Sequence, residues 1–93
     1  MFIHIKKIKK TMTTREKFIE NLSKLHTTEK GEQRIKNNLN LSECDVVEYC
    51  RKLINSKDCN IKKQGKNWYC RKDGIVITVN SHTITIITAH IER

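Results

Sequence analysis

The 93-residue sequence contains no proline and only three glycines. Both residues are common in long irregular connections, so their scarcity argues against an extended linker. Aromatic residues make up only 5% of the chain, and no apolar run approaches the ~20 residues that a transmembrane helix requires. A chain of this length forms one small core. We therefore expect a single domain whose functional site is a shallow cleft or an exposed face.

Acidic residues are scarce relative to basic ones. The chain has 19 Lys+Arg against 10 Asp+Glu, which gives a net charge of +9. The first ten residues hold four lysines and no acid, and without them the balance is 15 against 10, or +5. A positive surface favours anionic partners, and we predict either nucleic acid, RNA more than DNA, or an acidic protein. A solvated surface with a lysine bias is the alternative that charge alone leaves open.

The N-terminal stretch lacks the features of a targeting segment. It is too short and too charged to span a membrane, and it has neither a continuous apolar region nor a small-residue cleavage site. We therefore predict a cytoplasmic protein with no membrane span. We interpret residues 1–11 as a basic extension, disordered or dispensable, because Met12 is a plausible alternative start. Residues 12–93 then form the single predicted domain.

Recognisable catalytic and metal-binding motifs are missing. There is no P-loop, dinucleotide-binding glycine pattern, H-E-x-x-H or G-x-S-x-G, so nucleotide hydrolysis, dehydrogenase and serine hydrolase chemistry lose their usual support. The cysteines contain no C-x-x-C, which argues against a zinc ribbon or a thioredoxin-type site. We predict no cofactor and no metal. We expect buried free thiols at Cys44, Cys50, Cys59 and Cys70.

Helical signals fill the first half of the chain. Thr13 and Glu16 have the spacing of a capping box, and the apolar residues that follow predict a helix over 14–25. The start of a second helix is predicted at His26-Thr27-Thr28-Glu29, and its end at Asn37-Asn38 and Asn40. The third is predicted to have Ser42 as its N-cap and to carry one apolar stripe to about position 54.

The apolar period changes from 3.6 to 2 after the third helix, which predicts strands. Asp73-Gly74 is a dipeptide that type I′ hairpins favour, and Asn80-Ser81-His82 joins the last two strands. Ile75, Ile77 and Val79 share the face that we expect to meet the core. The predicted strands are 59–61, 67–70, 75–79 and 83–89. The predicted fold is therefore α+β, with three N-terminal helices followed by a four-stranded antiparallel β-meander.

A basic surface on the predicted sheet is the first candidate site. Lysines neutralise phosphates, and an exposed aromatic ring can stack on an unpaired base. Alternation places Trp68 and Tyr69 on opposite faces, so at most one of them belongs to the core. Trp68 in the core, with lysines protecting an edge strand, is the alternative. The predicted nucleic-acid-binding residues are Lys62, Lys63, Lys66, Trp68, Arg71, Lys72 and His82.

Histidines supply the second candidate, a metal-independent, ribonuclease-like site. His82 and His90 share one face of the predicted last strand but lie about 26 Å apart at roughly 3.3 Å per residue, too far to act on one phosphate. RNA cleavage needs a general base, a general acid and a cation for the phosphorane charge. The helices must then supply the missing groups. The predicted catalytic residues are His26, Arg34, Lys36, Thr88 and His90.

Six runs of residues give the chain a resemblance to a small bacterial family of unknown function. They are HTTE (26–29), RIKNNL (34–39), DVVE (45–48), GKNWY (65–69), ITVNSHT (77–83) and TIITAH (85–90). More distantly, the order of helices and strands resembles the barnase-like and RelE-like ribonuclease toxins. That resemblance implies a site formed by Arg34 or Lys36, Lys66, and Thr88 or His90, although a shared architecture does not establish shared chemistry.

Two classes of function therefore stay open. The leading hypothesis is RNA binding, with toxin-type ribonuclease activity as its stronger form. The rival is a protein-interaction module, such as a phage- or defence-associated factor, that binds a partner through the sheet face or an exposed strand edge. A homodimer that covers a sheet edge is the third alternative.

Overall fold

The structure is a computed structural model that describes residues 13–42 and 44–92. Its elements are α1 (Thr14–Glu20), a 3₁₀ turn (Leu22–Lys24), α2 (Glu29–Leu39), α3 (Val46–Ile54), β1 (Asn60–Gln64), β2 (Asn67–Lys72), β3 (Ile75–Asn80) and β4 (Ile86–Ile91). The strands form one antiparallel sheet in the order β1-β2-β3-β4. The predicted α+β class with a four-stranded antiparallel sheet is confirmed. The predicted extension over residues 1–11 lies outside the described residues.

α1 begins where the sequence predicts. Thr13 Oγ1 accepts a hydrogen bond from the Glu16 backbone N–H, and the Glu16 carboxylate accepts one from the Thr13 N–H, which completes the capping box. The helix ends earlier than predicted, at Glu20. The side-chain amide of Asn21 donates to the Lys17 carbonyl, and the chain then tightens into the 3₁₀ turn. Short polar side chains that bond the backbone in this way compete with helix continuation.

The other two helices differ in how well their ends were predicted. Thr28 Oγ1 accepts from the Gly31 N–H at the start of α2, and Asn40 ends the helix in the left-handed region at φ 61°. The start and the end at Asn40 are confirmed, whereas Asn37 and Asn38, also predicted to end the helix, lie within it. The predicted N-cap of α3 at Ser42 is wrong, because Asp45 Oδ1 accepts from the Glu48 N–H instead. Serine and aspartate are comparable N-caps, so residue type could not separate the two positions.

The core lies between the helices and the inner face of the sheet. Ile77 and Val79 are buried there, and Ile75 packs half-buried against the same cluster, as predicted. The rings of Phe18 and Trp68 stack with their centroids 4.6 Å apart and their planes at 16°, which joins α1 to β2. Full burial of a large apolar side chain contributes roughly 1.5–3 kcal/mol. The residues with no exposed surface come from α2, α3 and the sheet: Ile35, Cys50, Ile54, Cys70, Val79 and Ala89.

The connection between β3 and β4 departs from the prediction. The predicted start of the last strand at position 83 is wrong, because Ile84 takes a positive φ of 55° that interrupts the extended backbone. Thr78 then pairs with Thr88 and Val79 with Ile86, so the register shifts around Ile87. A bulge of this kind bends the strand and re-aims its side chains. The predicted hairpin turn is confirmed, with φ 52° at Asp73 and φ 77° at Gly74.

The two edges of the sheet differ in exposure. The β4 edge is partly occupied, because the N–H of Ile86 donates to the His26 carbonyl at 2.8 Å and Thr27 Oγ1 donates to the Ile86 carbonyl at 2.9 Å. Asn38 Nδ2 adds a hydrogen bond to the Ala89 carbonyl at 3.1 Å. Four of the five residues of β1, on the other edge, are exposed. The homodimer stays a prediction, and β1 is the edge open to it. Within the described ranges, no helix has the length and apolarity needed to cross a membrane.

Candidate anion-binding cleft

A cleft of about 230 Å³ opens where α1 meets one end of the sheet. This volume is below the roughly 300–1,000 Å³ of pockets for drug-sized ligands, so the cleft fits one phosphate, sugar or base. Two lysines and a histidine line it, and no carboxylate does among the residues that the structure describes. The lining, called the basic cleft below, consists of Thr14, Lys17, Phe18, Asn21, Lys63, Trp68, Ser81, His82 and Ile84.

α1 supplies one wall of the basic cleft. Burial of Phe18 fixes the rotation of the helix about its axis. Thr14, Lys17 and Asn21 then lie three or four residues apart, the spacing at which side chains share one helix face. Lys17 is exposed and has no ion-pair partner in the described part of the chain. The helix therefore presents a free ammonium group beside an apolar floor.

The sheet supplies the floor and the opposite wall. Trp68 is 6% exposed and reaches the cleft beside Phe18, which covers one of its faces. Lys63 is the cross-strand partner of Trp68, so both side chains leave the same face of the sheet. Ser81 and His82 complete the wall from the connection after β3, where the N–H of Ser81 donates to the Lys66 carbonyl at 2.8 Å. This bond holds the β1–β2 turn and the β3–β4 connection together.

Residues 80–85, called the cleft connection below, are organised around one side-chain oxygen. Oδ1 of Asn80 accepts hydrogen bonds from the N–H of His82 at 2.8 Å, the N–H of Thr83 at 3.0 Å and the hydroxyl of Thr83 at 3.2 Å. The backbone closes the same turn, since the Asn80 carbonyl accepts from the Ile84 N–H at 2.9 Å. The position of His82 in the basic cleft therefore depends on the Asn80 side chain.

A histidine from the segment before α2 is bonded to the cleft connection. His26 Nδ1 lies 2.9 Å from the Lys24 carbonyl oxygen, and its Nε2 lies 3.0 Å from Thr85 Oγ1. Thr85 Oγ1 lies 2.6 Å from Thr83 Oγ1. The imidazole, two hydroxyls and the Asn80 amide thus form a continuous chain of polar groups. It runs from the 3₁₀ turn to the residues that line the cleft.

Ile84 is held in a conformation that a β-branched residue rarely adopts. Its φ of 55° lies in the left-handed region, where such residues are true outliers, and strain there costs on the order of 1–3 kcal/mol. The surrounding structure holds it in place. The side chain is 7% exposed, and the carbonyl accepts from the His26 N–H. Strained residues of this kind concentrate at binding and catalytic sites.

The predicted nucleic-acid-binding residues divide between two faces of the sheet. Lys63, Trp68 and His82 line the basic cleft, and the turn that carries Lys66 is bonded to it. Lys62 pairs with Tyr69, so both lie on the outer face, away from the cleft. Arg71 shares that outer face and pairs with Glu92, while Lys72 pairs with Asp58 and Asp73. Trp68 is a core residue, as in the alternative that the sequence left open.

The predicted catalytic residues are not brought together. Arg34 lies on the exposed side of α2, in a surface hollow lined only by that helix, and Lys36 pairs with Glu32 of the same helix at 3.5 Å. Thr88 and His90 leave the outer face of β4, opposite Thr78 and Val76. His26 is bonded to Thr85 instead. Among the described residues, no hydrogen bond or ion pair joins any two of the five.

The cysteines are free thiols, as predicted, although Cys44 is exposed and only the other three are buried. Burial raises the pKa of Cys50 to about 12, and the pKa of Cys70 is also raised, chiefly by its hydrogen bond with Cys59. A group that stays protonated at neutral pH is a poor nucleophile and a poor metal ligand. The described residues contain no cluster of three or more His, Cys, Asp and Glu side chains suited to a metal ion.

Sequence reasoning identified only three of the nine residues that line the basic cleft: Lys63, Trp68 and His82. Lys17 and Asn21 carry no motif, and only the packing of α1 on β2 brings them to Ser81. Asn80, Thr83 and Thr85 were assigned to a connection and a strand, not to a site. An Asn-Ser-His-Thr run with two polar side chains that can bond the backbone was the available local signal.

Comparison with known proteins identifies a family. A family model described as "Protein of unknown function (DUF3781)" matches residues 19–90, more than three quarters of the chain. The chain therefore belongs to this family, which confirms the predicted membership of a family of unknown function. Neither the curated proteins nor the solved structures provide a match. The resemblance to ribonuclease toxins stays a prediction.

Proposed function

We propose that this member of the family binds single-stranded RNA, with a backbone phosphate held in the basic cleft. The observation that carries the proposal is the lining of the cleft. Lys17, Lys63 and His82 converge there, and no described lining residue carries a negative charge. Phosphate contacts by lysines supply most of the affinity of sequence-independent nucleic-acid binding.

The two lysines of the cleft are not neutralised by an ion pair with any described residue. Exposed cations elsewhere, such as Lys30 and Lys52, also lack a partner there, so what distinguishes Lys17 and Lys63 is that both line one opening. Lys36, Arg51, Arg71 and Lys72 are each neutralised by a carboxylate within 4 Å. Lys17 and Lys63 have no such partner in the described part of the chain, and they lie across one narrow opening. Cations that are close together and unneutralised raise the local positive potential, which attracts a polyanion.

The neighbouring groups favour RNA in single-stranded form. An opening of about 230 Å³ admits one phosphate, sugar or base of a flexible single strand but not a duplex. Hydroxyl and amide groups from Thr14, Asn21 and Ser81 surround the cations, and such groups can bond a ribose 2′-hydroxyl, which DNA lacks. The Phe18–Trp68 floor offers an apolar contact for a sugar or a base edge. It does not offer a free ring face, because each ring covers one face of the other and the two residues are only 3% and 6% exposed.

The proposal is limited to binding. Cleavage of RNA requires a base, an acid and a cation around one phosphate. The separation of His26, Arg34 and His90 over different surfaces favours binding without cleavage. Ribonuclease activity remains the stronger form of the hypothesis, and the same experiment tests it when RNA integrity is followed on a gel.

Fluorescence anisotropy with a labelled single-stranded RNA tests the proposal. The variant Lys17→Gln/Lys63→Gln removes two cations from the basic cleft. We expect the slope of log affinity against log salt to fall in magnitude by about 1.4, which is about 0.7 for each phosphate contact on a single strand. The matched control, Lys30→Gln/Lys52→Gln, removes two exposed lysines from α2 and α3 and has the same net charge. We expect the control to retain most of the wild-type affinity.

Two results would contradict the proposal. Absence of binding at low salt would exclude RNA as a ligand. An equal loss of affinity in the two double variants would show that binding depends on net charge and not on the cleft. Single-stranded DNA of the same length is the second ligand to measure, and we expect weaker binding because it lacks the 2′-hydroxyl.

A protein partner is the second candidate, and the open β1 edge favours it. Residues Asn60–Gln64 belong to an edge strand with four exposed residues, and two lysines, Lys62 and Lys63, lie on it. An acidic peptide could extend the sheet there by main-chain hydrogen bonds. Amide hydrogen exchange distinguishes the two candidates. Added strand pairing protects β1 amides, whereas a ligand in the basic cleft protects the cleft connection.

A further inference from the structure

The chain of polar groups behind the basic cleft is one proton short when His26 is neutral. The Lys24 carbonyl can only accept, so Nδ1 of His26 carries a proton and Nε2 of the neutral ring is an acceptor. Asn80 Oδ1 is likewise an acceptor, because two backbone N–H groups already point at it. Three contacts therefore connect His26 Nε2 to Asn80 Oδ1, through Thr85 and Thr83.

Only two protons are available for those three contacts in the neutral state. They are the hydroxyl protons of Thr85 and Thr83, so one of the three contacts lacks a hydrogen. Protonation of His26 supplies the third. Nε2–H then donates to Thr85 Oγ1, the Thr85 hydroxyl donates to Thr83 Oγ1, and the Thr83 hydroxyl donates to Asn80 Oδ1. All three hydrogen bonds then point the same way, from His26 towards Asn80. Hydrogen bonds aligned in this way polarise and strengthen one another.

We infer that His26 is a positioning residue for the basic cleft, and that its protonated form fixes the cleft connection in the geometry that binds a phosphate. The inference rests on the proposed function. Asn80 is the shared element, because its Oδ1 also accepts from the N–H of His82, which lines the cleft. Completing the chain at Asn80 therefore restrains His82 and Ser81, although His26 itself does not line the cleft.

The charged groups around His26 come from several elements. Lys24 lies in the same turn, and Glu29 and Lys30 open α2. From α3, Arg51 donates to the Leu22 and Leu25 carbonyls and pairs with Glu48. On the cleft connection, His82 is the titratable residue. Since His82 is a second imidazole and lines the cleft itself, its direct effect on the ligand must be separated from that of His26.

The variant Thr85→Val separates the effect of His26 from that of His82. It removes the hydroxyl that contacts His26 Nε2 and preserves the β-branched shape. RNA affinity is measured by anisotropy at about pH 5.5 and about pH 8, on either side of the histidine range. In a His82→Gln background, affinity should still rise as pH falls, by about two- to tenfold, the effect of one net hydrogen bond. Adding Thr85→Val should abolish that rise, and Thr85→Ser, which retains the hydroxyl, should preserve it.

An NMR measurement tests the same inference without any ligand. The backbone N–H groups of His82 and Thr83 bond Asn80 Oδ1, so their protection factors, which correct the exchange rate for its intrinsic dependence on pH, should rise as His26 becomes protonated. We expect Thr85→Val to remove that pH dependence. If RNA fails to bind but the exchange result holds, the proposed function fails and the coupling of His26 to the cleft connection stands. If the protection factors of the His82 and Thr83 amides depend on pH in Thr85→Val as they do in the wild type, the inference is wrong, whether or not RNA binds.

Discussion

The two ends of the sheet differ in how their charges are arranged. At the hairpin end, next to Asp73–Gly74, Lys72 lies 2.6 Å from Asp58, and Arg71 lies 3.2 Å from Glu92. At the cleft end, Lys63 and His82 have no ion-pair partner within the described ranges. The same sheet therefore neutralises its cations at one end and leaves them available at the other. That contrast, more than the net charge of +9, indicates where an anion would bind.

The two ends also differ in what holds their turns. The hairpin turn depends on two adjacent residues, Asp73 and Gly74, whose positive φ values suit a type I′ turn. The cleft connection depends on distant groups, since Ile84 is held by the His26 backbone and by burial. The conformation of a local turn is determined by its own residues. The conformation of the cleft connection requires the rest of the fold to be in place. A site built on the second kind is coupled to elements far from it in the chain.

Phe18→Ala should have the largest effect, and it acts on the cleft end. Phe18 is 3% exposed and stacks on Trp68, so its removal leaves a cavity under the basic cleft. We expect the free energy of unfolding to fall by about 3–5 kcal/mol. Urea denaturation followed by circular dichroism measures it. A loss below about 1 kcal/mol would show that the aromatic pair does not join α1 to the sheet.

The adjacent residue provides the control for that experiment. Lys17 is exposed and precedes Phe18 on the same helix, so Lys17→Gln should change the free energy of unfolding by no more than about 0.5 kcal/mol. The same substitution should weaken RNA binding. Phe18 would then determine stability and Lys17 would determine RNA affinity. That is the expected result if the floor of the cleft is structural and its rim binds the ligand.

Gly74→Val should have an intermediate effect, confined to the hairpin end. A Cβ added at Gly74 meets no atom within 4 Å, so the cost is backbone strain at φ 77° and not a clash. We expect a loss of about 1–3 kcal/mol, measured by the same denaturation, with RNA affinity unchanged. Gly74→Asn is the control, because asparagine tolerates a positive φ and should cost less. Equal losses in the two variants would contradict a strain mechanism.

Sequence reasoning predicted the local turns and caps of the molecule well and the cleft connection poorly, for one physical reason. The Asp73–Gly74 turn and the capping box at Thr13 are local, so residue type and spacing are enough to predict them. Ile84 looks like an ordinary strand residue, and nothing near it in the sequence shows that His26 will pair with Thr85. Lys17 was missed as a site residue for the same reason. Its role depends on the packing of Phe18 against Trp68.

Asp58→Asn should have the smallest effect, and it appears only as a change in pH dependence. The hydrogen bond from Lys72, followed by one from the backbone, holds the pKa of the Asp58 carboxyl below its usual value of 3.8. The folded state therefore binds fewer protons than the unfolded state just below that value. The Asp58 contribution to stability is present above the unfolded pKa and is lost as pH falls through the folded one. Between the two pKa values, the urea denaturation midpoint should fall less steeply with decreasing pH in Asp58→Asn than in the wild type.

Lys72→Gln is the matched control for this prediction, because it removes the donor and leaves the carboxylate. Without the Lys72 ammonium the pKa of Asp58 should return towards its usual value, and the acid dependence should flatten as it does in Asp58→Asn. The converse holds at high pH. Asp58 raises the pKa of Lys72 above 10.5, so the Lys72 contribution is present below that value and is lost as pH rises through the folded one. If Lys72→Gln keeps the wild-type acid profile, the ion pair does not set the charge balance of the hairpin end. The contrast between the two ends of the sheet would then rest on Arg71 and Glu92 alone.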